Sequence, residues 1–112
     1  MTSEPLKLLS DLITDAHARI QQAHVDINPV VALRRGMRDK GIPADAITVD
    51  CLRTGKRIVL ILHDQQPEEL VYQFTLKDEE TDAPYQQIAL NNLRVELLFE
   101  WMRDYFQSAD NT

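Results

Sequence analysis

Three histidines are the first residues in this sequence whose type could support chemistry. His17 and His24 lie seven residues apart in a segment with helical periodicity, which places them about 10 Å apart along one side of a helix. That separation is too long for both imidazoles to bind one metal ion. His63 and Asp64 have the order of a base and its orienting carboxylate, but neighbouring strand residues point to opposite faces. We therefore expect structural or surface roles for the histidines and no metal site.

The remaining nucleophiles and acids also lack a catalytic setting. No serine lies in a GxSxG motif, and Cys51 has no histidine neighbour that the sequence predicts. Three glycines are too few for a loop that cradles a phosphate. The paired carboxylates at 68–69 and 78–80 fall in polar loops, where such groups are usually solvated. The sequence therefore offers no positive support for an enzyme, and we expect no catalytic residue and no cofactor.

Positive charge is concentrated in one part of the chain. Residues 34–57 contain seven of the twelve basic residues against three acidic ones, whereas residues 58–112 contain three basic and eleven acidic residues. The candidate anion-binding residues are Arg34, Arg35, Arg38, Arg53 and Arg57. No aromatic residues are interleaved with them for base stacking, and the net charge of −6 opposes phosphate binding by the molecule as a whole. Nucleic-acid binding through this basic cluster is therefore our third hypothesis, and a solvated surface explains the cluster better.

Length and composition limit the class of protein. At 112 residues the chain is long enough to bury a core, and we treat 1–112 as a single α+β domain. The single Cys51 cannot form an intramolecular disulfide, which favours a cytoplasmic location. The sequence contains no run of eighteen apolar residues and no secretory signal at its start. We expect a cytoplasmic protein that has no membrane partner.

The stretch at 56–77 predicts two antiparallel strands around which the rest of the fold is organised. Both faces of the first strand are apolar over 58–62, which predicts a central strand covered on both sides. The second strand alternates apolar and polar residues over 70–77, which predicts a half-buried strand at the edge of the sheet.

Further elements are predicted on both sides of these strands. A strand over Ile47–Cys51, joined by a turn at Gly55, completes a three-stranded meander. Residues 84–90 either form a fourth strand or begin the last helix. A broad apolar face over 92–107 predicts a long C-terminal amphipathic helix.

Two helices are predicted before the strands. In the first, over 4–26, apolar residues that include Ile13 and Ile20 recur every three or four positions. This heptad seam suits either a coiled coil between two chains or a helix that lies on its own sheet. A second helix is predicted over 29–41, closed by Gly41.

The predicted fold is therefore α+β, with two N-terminal helices, a three-stranded or four-stranded antiparallel meander and a long C-terminal helix. Three strands make a sheet about 14 Å wide, and helices are about 10 Å wide. Three helices do not fit on one face of such a sheet. Either the helices cover both faces, or part of the apolar surface is buried in a dimer.

In size, acidic charge and order of elements, the chain resembles type III secretion chaperones, without a shared motif. The resemblance implies a chaperone-like adaptor. Our first hypothesis is a non-enzymatic protein-interaction module or chaperone-like adaptor that acts as a homodimer. Its candidate partner-binding residues are Ile13, Ile20, Trp101 and Tyr105.

The alternative hypothesis places the function at a small-molecule site. Aromatic and imidazole groups at His63, Tyr72 and Tyr85 could line such a site if the fold brings them together. The protein would then be a small-molecule-binding protein or an enzyme.

Overall fold

The fold consists of two long helices and a five-stranded sheet. The computed structural model describes residues 4–24, 27–77 and 84–107. Its elements are α1 (Glu4–Ala23), β1 (Val30–Arg34), the single helical turn α2 (Gly36–Asp39), β2 (Ala44–Cys51), β3 (Lys56–His63), β4 (Glu69–Leu76), β5 (Gln86–Ala89), a 3₁₀ turn (Leu90–Asn92) and α3 (Val95–Gln107). The α+β class predicted from the sequence is confirmed.

The five strands form an antiparallel meander in which spatial order equals chain order, β1-β2-β3-β4-β5. The central position predicted for β3 is confirmed. The prediction that β4 lies at an edge is wrong, because β5 pairs with it through Leu70↔Ile88 and Val71↔Gln87. The open alternative at 84–90 is resolved as a strand followed by the 3₁₀ turn.

The second predicted helix, over 29–41, is also wrong. Val30–Arg34 is a strand that pairs with β2, and only Gly36–Asp39 is helical. Val31 and Leu33 have a spacing of two, which fits a strand face, and β-branched residues such as Val30 favour strands. Pairing with β2 therefore outweighs the local signals for a helix.

The core lies between one face of the sheet and the two long helices. Alternate residues of β2 and β3 contribute to one apolar cluster with α1 and α3, and the strand members are Ile47, Val49, Cys51, Ile58, Leu60 and Leu62. The two helices also contact each other, and Arg19 of α1 pairs with Glu96 of α3 at 3.3 Å. We call the side of the sheet that bears the helices the core face.

None of the described helices lies on the opposite side of the sheet, which we call the outer face. Val59, Ile61 and Val71 lie half-buried at its centre, although they are apolar. The sequence of β3 predicts that both of its faces are covered. The described helices cover only the core face. Two long helices fit on one face because the second predicted helix, over 29–41, is reduced to the single turn α2.

Candidate interaction surface

The most exposed apolar part of the sheet is its first strand, β1. Val30, Val31 and Leu33 are 45%, 41% and 50% exposed. Within the described residues β1 pairs with β2 alone, so its other side is an unpaired strand edge. We call Val30–Arg34 the β1 edge.

The exposure of the β1 edge has a simple geometric cause. Val31 pairs with Val49 and Leu33 pairs with Ile47, so Val31 and Leu33 belong to the core face. Val49 and Ile47 are buried beneath the helices. Five strands span about 24 Å, whereas two helices span about 20 Å. The helical layer therefore ends before β1, and the apolar core face continues into solvent.

A groove of about 380 Å³ runs between α1 and β1. It is lined by Ser10, Ile13, Thr14, His17, Val31, Leu33 and Ile47. The floor of this groove is aliphatic, and its α1 wall carries small polar groups. The side of α1 that faces the groove is therefore compatible with close approach of another chain.

The opposite edge of the sheet differs from the β1 edge in composition. β5 has four residues, two of them exposed glutamines, and Pro84 precedes it. Short length, polar side chains and proline are devices by which proteins prevent edge-to-edge pairing. The β1 edge has four aliphatic residues out of five and its one charged residue at the end, Arg34. Only the β5 edge is protected in this way.

The predicted partner-binding residues of α1 are buried in the chain itself. Ile13 is 2% exposed and Ile20 is 0% exposed, and both belong to the core cluster. The heptad seam therefore lies on its own sheet, as in the second of the two alternatives above. Ile13 reaches the floor of the groove between α1 and β1, and Ile20 offers no surface to a second copy.

The aromatic pair of α3 packs against β4. Trp101 stacks on Tyr72 with ring centroids 4.4 Å apart, and it meets Phe74 edge-on at 5.8 Å. The Tyr105 hydroxyl donates a hydrogen bond to the carbonyl oxygen of Thr75 at 2.7 Å. Trp101 and Tyr105 are both half-buried. Their main contacts are thus within the fold, and they retain a partly exposed border.

The predicted anion-binding arginines include one that bridges two carboxylates. Arg38 donates to both oxygens of Asp45 at 2.7 and 2.9 Å, and to both oxygens of Asp64 at 2.7 and 2.9 Å. Hydrogen bonds to Asp64 and Asp45 raise the pKa of Arg38 further above its ordinary value, and the same guanidinium lowers the pKa of Asp64. Arg35 lies 3.6 Å from Asp45. These ion pairs hold the segment around α2 against β2 and the end of β3.

The other arginines are elsewhere on the sheet. Arg57 pairs with Asp50 at 2.7 and 2.9 Å, and Arg34 donates to the Thr48 hydroxyl at 3.3 Å. On β2, Arg57 lies opposite Asp50 and Arg34 lies opposite Ala46. These two positions are four residues apart, or about 13 Å along the strand. The turn after β2 carries Arg53. The structure does not gather the five arginines into one anion site.

The residues of the small-molecule hypothesis do not converge. Tyr72 pairs with Leu60 on the core face, and His63, three residues further along β3, points to the outer face. Tyr85 is 61% exposed and directly precedes Gln86, which pairs with Tyr72. The structure therefore does not bring His63, Tyr72 and Tyr85 together on one face of the sheet.

The histidines make contacts within the chain. The His17 ring lies 2.7 Å from the carbonyl oxygen of Pro29, and His24 lies 2.9 Å from the Gln107 amide. The His63 ring nitrogen accepts from the backbone N–H of Gln65 at 3.2 Å. His17 and His24 thus help to hold α1 to the start of β1 and to the end of α3.

The sequence reasoning missed Val30, Val31 and Leu33 as surface residues because it placed them on a helix. Two signals in the sequence favour the correct structure. Adjacent β-branched valines are poor helix formers, and Gly36 costs a helix interior about 1 kcal/mol relative to alanine. The exposure itself depends on where the helical layer ends, which the sequence does not reveal.

Comparison with protein-family models, with curated proteins and with solved structures gave no match. Among residues 4–24, 27–77 and 84–107, no helix has the length and apolar character needed to cross a membrane.

Proposed function

We propose that the protein is a non-enzymatic protein-interaction module that acts as a homodimer. The observation that carries this proposal is the concentration of exposed apolar side chains at the β1 edge. Of seven large apolar residues that are exposed in the described chain, three lie there: Val30, Val31 and Leu33. Exposed aliphatic side chains on an unpaired strand edge are typical of an interaction site.

The rest of the described chain supports association rather than chemistry. The groups that invited a catalytic or anion-binding interpretation hold the fold together, as with Arg38 between Asp45 and Asp64. The single thiol, Cys51, is buried, which suits the reducing cytoplasm. A cytoplasmic adaptor that pairs with itself accounts for both features.

The proposal is tested by measuring the mass of the protein in solution. Sedimentation equilibrium of the wild type should show a monomer–dimer equilibrium between about 10 µM and about 1 mM, as expected of a small interface. Leu33→Lys should be folded, because Leu33 is half exposed, and should be monomeric over the same range.

Leu52→Lys is the matched control, since Leu52 is an exposed leucine in the turn between β2 and β3 and gains the same charge. It should associate like the wild type. A wild type that stays monomeric at the highest concentration refutes the homodimer. Equal loss of association in both variants would show that added charge, and not the β1 edge, is responsible.

A further inference from the structure

We infer that the two copies join by antiparallel pairing of their β1 strands about a two-fold axis at Ala32. This pairing merges two five-stranded sheets into one sheet of ten strands. The inference rests on the proposed homodimer and goes beyond it, because it specifies the interface and its register.

The sequence of β1 is complementary to itself in this register. Ala32 lies opposite its own copy, Val31 lies opposite Leu33 of the second copy, and Val30 lies opposite Arg34 of the second copy. Every residue of the strand then has a partner. The core-face pairs are aliphatic on both sides, so Val31 and Leu33 of each copy cover one another.

Neighbouring registers are worse for identifiable reasons. A two-fold axis at Val31 brings Pro29 into the ladder, where it has no N–H to donate. An axis at Leu33 places Arg35 opposite Val31 on the apolar side. A slip of one residue turns the second copy over, so that Val31 of the core face meets Ala32 or Arg34. The register at Ala32 keeps apolar residues against apolar residues on the core face.

Charge also favours this register. Arg34 lies on the outer face, where it donates a hydrogen bond to the neutral Thr48 hydroxyl. Opposite the second copy's Val30, it enters a row whose next member is that copy's Asp50. The two copies of Arg34 are about 13 Å apart along the strands, so like charges do not face each other. Each Arg34 then lies two strands from Asp50 of the second copy, whose carboxylate pairs with Arg57.

The size of the ladder sets the strength of the dimer. Five residues span about 17 Å, and such a ladder buries less surface than the roughly 1,600 Å² of a standard interface. Both helical layers lie on the same side of the merged sheet, because opposite residues in an antiparallel pair share a face. We expect a weak dimer whose populated fraction rises with protein concentration.

The register is tested by disulfide cross-linking of single-cysteine variants in a Cys51→Ala background. Residues directly opposite in an antiparallel pair have Cα atoms about 4.5–5.5 Å apart, within the range that a disulfide spans. Ala32→Cys should therefore form a covalent dimer under mild oxidation, and adding Leu33→Lys should abolish it. Circular dichroism confirms that each variant is folded.

Val30→Cys is the matched control on the same strand and face. Its copies are about 13 Å apart in this register, so it should not cross-link to itself, but it should cross-link when mixed with Arg34→Cys. Self-linkage of Val30→Cys as fast as that of Ala32→Cys overturns the register. A wild-type dimer that no β1 cysteine traps overturns edge pairing and leaves the homodimer intact. A wild type that stays monomeric removes both proposals.

Discussion

Truncation of one core residue and one edge residue tests the assignment of the two apolar surfaces. Ile20 of α1 is fully buried, whereas Leu33 of β1 is half exposed. Replacement of a buried isoleucine by alanine costs about 2–5 kcal/mol, because transfer free energy is lost and a cavity remains. Full burial of a leucine side chain is worth about 1.5–3 kcal/mol, so Leu33→Ala should cost the isolated chain about 1 kcal/mol or less.

The assay is urea unfolding followed by circular dichroism at two protein concentrations. We expect Ile20→Ala to lower the free energy of unfolding by about 3 kcal/mol at both concentrations, which corresponds to a fall in Tm of roughly 10–15 °C for a domain of this size. The loss of unfolding free energy caused by Leu33→Ala should instead grow with protein concentration, because dimerisation stabilises the wild type more at higher concentration. If the effect of Ile20→Ala depends on concentration, or is smaller than that of Leu33→Ala, the α1 seam is intermolecular and the assignment fails.

Two further predictions concern a turn and an ion pair. Gly55 has φ +75°, and a Cβ added there would meet no other atom within 4 Å. Gly55→Ala should therefore destabilise the protein by about 1–2 kcal/mol through backbone strain alone. Gly36→Ala, at the start of α2, should not destabilise it, and thermal unfolding of both variants separates strain from a general effect of an added methyl group. The pKa of Asp64 is lowered by Arg38, so the stability from this pair is present above the unfolded-state pKa near 4 and lost as pH falls through the lower folded-state value. Unfolding measured from pH 6 to about pH 2 should show a shallower loss for Asp64→Asn than for the wild type, and parallel curves would refute the linkage.

The long periodic segments were predictable from the sequence, and the short ones were not. α1, α3, β3 and β4 each have a pattern that repeats over eight or more residues, so local and tertiary preferences agree. The segment 29–41 carries only one or two repeats of either period. Its structure is decided by the pairing of β1 with β2, which is a contact with residues further along the chain.

Charged residues show the same limit in another form. Asp45 and Asp50 are buried in β2, although aspartate is depleted in strands. Their burial is compensated by Arg38 and Arg57, which lie seven residues away in each case. From the sequence, those arginines were only candidates for anion binding, because the sequence does not show that carboxylates of the same chain meet them.

The absence of any crossover in the sheet has a consequence for local unfolding. Because spatial order equals chain order, β1 pairs with β2 alone among the described strands, and its release leaves the pairing of β2 with β3 intact. Strands of this kind open with a lower free energy than the whole domain. The element through which we propose that two copies meet is then also the element that opens most readily in one copy. Dimer formation would turn the outermost strand into an interior strand of the joined sheet. The amides of Val30–Arg34 would therefore be protected from hydrogen exchange.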